Sequence, residues 1–257
     1  MEVLVCVKRV PAPGARIVLS DDRRAIETKH LGFTVSPHEE CAVEEAVRLV
    51  ERHGGHVTVL TMGPPEAEQQ LRDAVAMGAD AGVLVDVGTT EADPQATAAA
   101  LVEAIRTLQD EGAAFDLVLF GDESADAGNS QVSIRVAHAL GLPIVAGVKG
   151  LDFDTAGGVA GLRRDTEDGV ERYEVAPPLA AAVKEGINLP RYPALKGRMR
   201  ARKATMRRVP VALTAGGLEF VRLHQPLAAE AETEILGHGS EAAPAVVDLL
   251  ERQGVLR

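Results

Sequence analysis

Short apolar runs alternate with segments of helical periodicity over the first 150 residues. Five of these runs are rich in Val, Leu and Ile, as expected for strands that are covered on both faces. They occupy residues 3–7, 56–61, 82–87, 116–120 and 144–148. This strand–helix alternation predicts an α/β fold, built as a doubly wound parallel sheet with helices on both faces.

Capping and turn residues mark the helices between these runs. Ser36 and Pro37 suit the start of a helix, and Glu39 is placed to complete a capping box before Gly54 ends that helix. The predicted helices span residues 37–53, 66–77, 94–110 and 130–140.

The period changes after residue 150. Three further strands are predicted at residues 159–164, 170–175 and 179–184, and we expect them to extend or flank the sheet with antiparallel pairs. From residue 209 onward the apolar pieces are short, and a helix is predicted near residues 245–253. We therefore expect an α/β nucleotide-binding domain (1–190), a basic segment (191–208) and a C-terminal arm (209–257) that wraps around a partner.

Composition narrows the class of protein. The 257-residue chain is 46% hydrophobic and has no Trp, so one large core must be built from Ala, Val and Leu. Cys6 and Cys41 have no ligand-like spacing, which favours buried thiols in a reducing cytoplasm. The chain opens directly on an apolar strand and has no bilayer-length apolar run, so we expect neither a secretory leader nor membrane insertion.

A basic segment interrupts this acidic chain. Residues 191–208, RYPALKGRMRARKATMRR, carry eight Lys and Arg and no acid, whereas the net charge of the chain is −11. Solubility does not explain the segment, because its charge opposes the charge that disperses the molecule. A solvated helix face and a docking element for another macromolecule both fit this pattern.

The loop after the fourth strand is the richest candidate site. Ligands of doubly wound sheets bind beyond the carboxyl ends of the strands, and this loop reads GDESADAGNSQVS over residues 121–133. Asn129 or Ser130 is expected to cap the following helix, whose first amides would form an anion cradle. An ordinary capped loop is the alternative. If the loop does bind a nucleotide, its three acids (Asp122, Glu123 and Asp126) favour one with a single phosphate, and Lys8 or Arg9 could offset their charge.

Catalytic and metal-binding constellations are not recognisable in the sequence. The seven histidines are scattered without a triad order, and neither GxxxxGK[ST] nor a GxGxxG after the first strand occurs. The sequence favours a protein that holds a nucleotide without catalytic residues of its own.

Four segments in order resemble the β subunit of electron transfer flavoprotein. They are VLVCVKRV (3–10), SPHEECAVEEAVRL (36–49), LRDAVAMGAD (71–80) and NLPRYPALKGRMRARK (188–203). The resemblance implies a Rossmann-like, adenine nucleotide-binding domain in a redox shuttle. In that family FAD is held mainly by an α subunit, and the β subunit keeps a structural AMP.

The resemblance also implies site residues. The AMP positions correspond to Cys6, Ser36, Pro37, His38, Glu39, Met62, Asp126, Ala127, Gly128, Asn129, Ser130, Gln131, Val132 and Ser133. The docking positions around the family's anchoring leucine correspond to Arg191, Tyr192, Leu195, Arg198, Met199 and Arg200. The implied donors are acyl-CoA dehydrogenases of fatty acid β-oxidation or other flavoprotein dehydrogenases, and the implied acceptor is a membrane quinone oxidoreductase.

Departures from the family pattern keep alternatives open. Val132 stands where the family's loop usually has Thr, and Ser133 stands where it has Gly. A second FAD, as in electron-bifurcating relatives, or an empty pocket are therefore alternatives to AMP. A stand-alone nucleotide sensor similar to universal stress proteins explains neither the basic segment nor the tail. Nucleic-acid binding is disfavoured, because the remaining chain is acidic and Tyr192 is the only aromatic residue in the basic segment.

Overall fold

A computed structural model describes residues 1–88, 92–154, 157–225 and 233–256. Two compact units divide the chain, at residues 1–221 and 222–257. The strands of the first unit are β1 (Glu2–Val7), β2 (Val10–Pro11), β3 (Phe33–Thr34), β4 (His56–Gly63), β5 (Ala81–Asp86), β6 (Leu117–Gly121), β7 (Ile144–Asp154), β8 (Val159–Thr166), β9 (Gly169–Val175), β10 (Leu179–Val183) and β11 (Arg207–Pro210). Its helices are α1 (Pro37–His53), α2 (Glu68–Met77), α3 (Pro94–Asp110), α4 (Val132–Leu140) and α5 (Leu195–Lys203), with a 3-10 turn at Pro65–Ala67.

A nine-stranded sheet organises the first unit in the order β11-β5-β4-β1-β6-β10-β7-β8-β9. The pairs from β11 to β7 are parallel, and β7–β8 and β8–β9 are antiparallel. The predicted α/β architecture with antiparallel additions is confirmed.

The placement of β10 corrects one prediction. This strand was expected to pair antiparallel at the flank, but it lies inside the sheet and runs parallel to both β6 and β7. All five of its residues are buried, because helices cover both faces of the sheet at this position.

Two helical layers cover the sheet, and strand alternation divides the core between them. Val3 and Val5 of β1 pack in the cluster that includes α1 and α2, whereas Leu4 and Cys6 pack in the cluster that includes α3 and α4. Each fully buried Val or Leu contributes about 1.5–3 kcal/mol through removal of apolar surface from water.

The chain reverses its direction of travel across the sheet between β1 and β6. β1 pairs with β4 on one side and with β6 on the other, and their carboxyl ends reach the same edge. Such a switch point leaves a crevice between the loops that follow the two strands. The loop after β1 begins at Lys8, and the loop after β6 contains the predicted nucleotide segment.

The basic segment belongs to the body of the first unit. The sequence suggested a separately presented element, but its last residues form part of β11, the strand that pairs with β5 at the sheet edge. The predicted boundary between residues 208 and 209 falls inside this strand. Met206 is buried against the space that Gly82 leaves open, so an apolar residue of the segment contributes to the core.

The second unit contains a short 3-10 turn at Gly239–Ala242 and the helix α6 (Ala243–Arg252). No residue of α6 is buried within the described part of the chain. Ile235, Val246, Val247 and Val255 are all exposed. Residues 226–232 and 257 of the predicted arm lie outside the described ranges.

Candidate functional site

The first contact across the switch point is an ion pair. Lys8 Nζ donates to Asp126 Oδ2 at 2.6 Å, which joins the end of β1 to the loop after β6. Burial opposes ionisation of Asp126, but the hydrogen bond and charge of Lys8 outweigh it and lower the pKa of this carboxyl. From the sequence, Lys8 was predicted only to offset the charge of the loop acids, and the structure pairs it with one of them, Asp126.

Glu39 is a buried carboxylate at the start of α1. Its Oε2 accepts from the Ser36 backbone N–H at 3.0 Å and the Ser36 hydroxyl at 2.8 Å, and its Oε1 accepts from the Lys8 N–H at 2.9 Å. Burial raises its pKa to about 7, although these hydrogen bonds oppose the shift. Gly121 permits this packing, because a Cβ there would lie 2.7 Å from Glu39 Cγ.

His38 connects three segments at this edge. Its Nδ1 accepts from the Glu185 backbone N–H at 2.8 Å, and this bond places the ring proton on Nε2. Nε2 lies 3.7 Å from Glu123 Oε1 in the loop after β6. The His38 side chain therefore links the loop after β6 to the chain that follows β10.

The acids of the loop all have partners. Asp122 Oδ1 accepts from the Gly147 N–H at 2.8 Å, and Asp122 Oδ2 lies 3.9 Å from Lys184 Nζ. Glu123 lies beside His38 and accepts from the Ser130 hydroxyl at 3.4 Å. Lys184 and Lys8 therefore offset the negative charges of Asp122 and Asp126, whereas Glu123 has uncharged neighbours.

The start of α4 differs from prediction by one or two residues. Gln131 is the N-cap, rather than Asn129 or Ser130. The Gln131 side-chain oxygen accepts from Arg135 Nε and Nη2 at 3.3 and 3.1 Å, so it points along the helix. Ser130 has a φ of 50°, which turns the chain into the helix. An α-helix leaves its first N–H groups without intrahelical acceptors, so this end can bind an anion.

The remaining predicted positions differ in accessibility. Cys6 lies in the core, and burial raises the pKa of its thiol. Met62 is half-buried near the end of β4 and packs against the α3–α4 cluster. Ser133 is buried and Val132 half-buried in the first turn of α4. The remaining predicted residues, Pro37, Ala127, Gly128 and Asn129, are exposed.

The docking residues separate into an exposed group and an attached group. Tyr192, Leu195 and Met199 are 85%, 76% and 54% exposed. The Arg198 guanidinium lies 4.9 Å from the centre of the Tyr192 ring. We call Tyr192, Leu195, Arg198 and Met199 the presented face.

Arg191 and Arg200 instead bind the body of the protein. Arg191 pairs with the buried Glu44 at 2.8 Å and with Glu51 at 2.6 Å, and these two partners raise its pKa. Arg200 Nη2 donates to the carbonyl oxygens of Val75 and Ala79 at 2.8 and 3.1 Å. Acids repeated along α1 (Glu44, Glu51) and a strongly basic segment were visible in the sequence, but their pairing was not.

Within the described ranges, no helix is long and apolar enough to cross a membrane. No group of three or more His, Cys, Asp and Glu side chains in those ranges is arranged to hold a metal ion.

The fold defines a class of protein, the α/β domains with a doubly wound, mainly parallel sheet. Comparison with known proteins is more specific. Residues 25–214 match the electron transfer flavoprotein domain family. The chain is 34% identical over 205 residues to electron transfer flavoprotein subunit beta of Bacillus subtilis, which covers 79% of this chain and 76% of the relative.

Two further relatives carry the same name. The Thermoanaerobacterium thermosaccharolyticum protein is 38% identical over 199 residues, covering 77% of this chain and 73% of its own. The Syntrophomonas wolfei protein is 35% identical over 236 residues, covering 91% and 90%. The chain therefore belongs to the electron transfer flavoprotein family, as a beta-type subunit with a role in electron transfer.

Proposed function

We propose that this chain is the β subunit of a heterodimeric electron carrier in which an α subunit holds most of the FAD. The chain completes the flavin cleft and holds AMP at its own switch point. FAD supplies the electron-carrying chemistry when bound, and AMP has a structural role. The subunit carries no catalytic residues of its own in this proposal.

The observation that carries this proposal is the convergence of three segments at one sheet edge. Lys8, residues 36–39 and residues 126–133 approach one another through the Lys8–Asp126, Lys8–Glu39 and Ser36–Glu123 hydrogen bonds. The start of α4 offers N–H donors beside the Ser130 hydroxyl, a donor set suited to one phosphate group. The acids of the loop have protein partners, which reduces their repulsion of that phosphate. These residues fit AMP.

The exposed apolar side chains of the second unit support the proposal that the chain needs a partner. Exposed Val246, Val247 and Ile235, together with a helix that buries none of its residues, indicate apolar surface that needs a cover. We assign this surface to the α subunit, around which residues 222–257 wrap. The free, buried Cys6 and Cys41 support a reducing compartment such as the cytoplasm.

The presented face supports the choice of electron donors. An exposed leucine and methionine, with the exposed cations Lys196, Arg198 and Arg202 on the same helix, is the arrangement of an apolar anchor among steering charges. We assign this face to acyl-CoA dehydrogenases or other flavoprotein dehydrogenases, with a membrane quinone oxidoreductase as the acceptor.

Nucleotide analysis of the assembled protein tests the proposal. The chain is co-expressed with its α partner, and nucleotides released by denaturation are counted by mass spectrometry. We expect one FAD and one AMP per heterodimer. Two FAD per heterodimer would indicate an electron-bifurcating relative, and a stable nucleotide-binding monomer that ignores the α subunit would indicate a stand-alone sensor.

A further inference from the structure

The helix that carries the presented face packs against α2 through small residues. A Cβ on Gly197 would lie 2.2 Å from the Ala76 carbonyl oxygen, so the α5 backbone lies directly on α2 at this point. Ala201, one turn later, is buried. At 100° per residue, Leu195 and Met199 lie on the opposite side of α5 from Gly197 and Ala201. Close packing of one side therefore fixes which side faces outward.

Two arginines then bind the ends of the two helices reciprocally. Arg72 of α2 donates through Nη1 to the Ala201 and Ala204 carbonyls at the end of α5, at 2.8 and 2.9 Å. Arg200 of α5 donates to the Val75 carbonyl at the end of α2, and to Ala79 just beyond it. The last carbonyls of a helix lack intrahelical donors and carry partial negative charge. Each guanidinium thus brings a charged donor to the carbonyls at the end of the other helix.

We infer that Arg72, Arg200 and Gly197 are positioning residues that hold the presented face in the orientation a donor protein requires. This inference rests on the proposed donor docking. A role in charge steering alone does not explain the position of Arg200, because its guanidinium donates to backbone carbonyls at the end of α2 and just beyond it. An ordered helix binds its partner without first losing conformational freedom, so this attachment increases the rate of productive capture.

Exchange and kinetics on the heterodimer test the inference with a matched control. Arg200→Gln and Arg202→Gln each remove one positive charge from α5, but only Arg200 bonds to α2. We expect Arg200→Gln and Arg72→Gln to accelerate amide hydrogen exchange in α5 at least tenfold, with Arg202→Gln close to wild type. Gly197→Ala should act in the same direction, because its methyl group would displace α5 from Ala76.

Donor reduction gives a second readout. In stopped-flow reduction by the dehydrogenase, Arg200→Gln and Arg72→Gln should lower the second-order rate constant about three- to tenfold at high ionic strength, where the contribution of the lost charge is screened. The rate at saturating donor and the flavin content should stay near wild type. Arg202→Gln should lose only a salt-dependent part of the rate.

The outcomes distinguish the positioning role of Arg72, Arg200 and Gly197 from the proposal that the presented face docks a donor. If Arg200→Gln exchanges and reacts like Arg202→Gln while Leu195→Ala slows reduction, the positioning role is wrong and the docking proposal stands. If exchange in α5 accelerates but neither Arg200→Gln nor Leu195→Ala affects any donor, the attachment is purely structural. The positioning inference then fails together with the docking proposal.

Discussion

At the scale of single residues, the pKa of Glu39 at the switch point depends on contacts with residues that are distant in the sequence. Glu39 follows a helix cap and was predicted to be a capping-box residue, and its hydrogen bond from the Ser36 N–H confirms that part. Its burial, and the bond from the Lys8 N–H, depend on Gly121 more than 80 positions away. A local pattern therefore predicted the bond between neighbours, but not the pKa.

Glu39 gives a pH prediction. Its pKa is raised from 4.5 to about 7, because burial disfavours the carboxylate. Its contribution to stability is therefore fully present below pH 4.5 and is lost as the pH rises to about 7, a loss of about 3 kcal/mol at about 1.4 kcal/mol per unit. Glu39→Gln should remove this slope.

The measurement is the thermal midpoint of the heterodimer between pH 5 and 8. The difference between wild type and Glu39→Gln should change steadily up to about pH 7 and then level off. Glu103→Gln, on the exposed side of α3, is the control and should track wild type. A wild-type-minus-Glu39→Gln difference that is independent of pH would contradict the assignment.

Leu195 gives the docking prediction. The side chain is 76% exposed and its surroundings are basic, so its contribution should appear only when a partner covers it. Leu195→Ala should slow reduction by a dehydrogenase about tenfold, as loss of one anchor in a pocket does. Flavin content and heterodimer stability should stay unchanged.

Stopped-flow reduction at low donor concentration measures the effect. Val170→Ala shortens an exposed aliphatic side chain on β9, far along the sheet, and serves as the control. Wild-type rates with every candidate donor, or loss of flavin from Leu195→Ala, would remove Leu195 from the docking surface.

At the scale of elements, local signals predicted the helices better than the sheet. Ser36 and Gly54 predicted the bounds of α1, and Asp93 caps α3 by accepting a hydrogen bond from the Ala96 N–H. The parallel pairing of β10 was not predicted, because strand order depends on contacts between β6, β10 and β7 that no local pattern encodes. The same limit applied to the pairing of Arg191 with Glu44.

The loop before α4 gives a prediction at this scale. Replacing both Ser130 and Gln131 with Leu should empty the proposed nucleotide site, because it removes the Ser130 hydroxyl donor and inserts bulk beside the helix start. Each lost polar partner costs about 1–3 kcal/mol. The flavin spectrum of any assembled heterodimer should stay near wild type.

Mass spectrometry of released nucleotides measures the occupancy. His138→Leu is the control, since His138 is exposed near the other end of the same helix. Unchanged AMP content in the double variant would place the site elsewhere.

At the scale of the whole molecule, we expect the second unit to determine how the chain behaves when it is purified without its partner. Among the described residues of this unit, none in α6 is buried and Ile235, Val246, Val247 and Val255 are exposed, so the chain purified alone should be colourless and prone to association. Co-expression with the α subunit should give a yellow heterodimer.

Absorbance at flavin wavelengths and size-exclusion chromatography measure both states. A chain ending at residue 221 keeps the sheet and serves as the matched variant, because it should stay folded but lose affinity for the α subunit. A full-length monomer that retains stoichiometric FAD would contradict this prediction.

The two edge strands of the nine-stranded sheet affect the risk of aggregation before a newly made subunit binds its partner. Edge strands present N–H and C=O groups that recruit strands from other molecules. At one edge β11 carries Arg207 and ends at Pro210, which has no N–H to donate, and at the other edge β9 carries Glu171, Arg172 and Glu174. Charge and proline hinder the addition of a strand from a second copy. These edge residues therefore disfavour fibre-like self-assembly during the interval between synthesis and pairing.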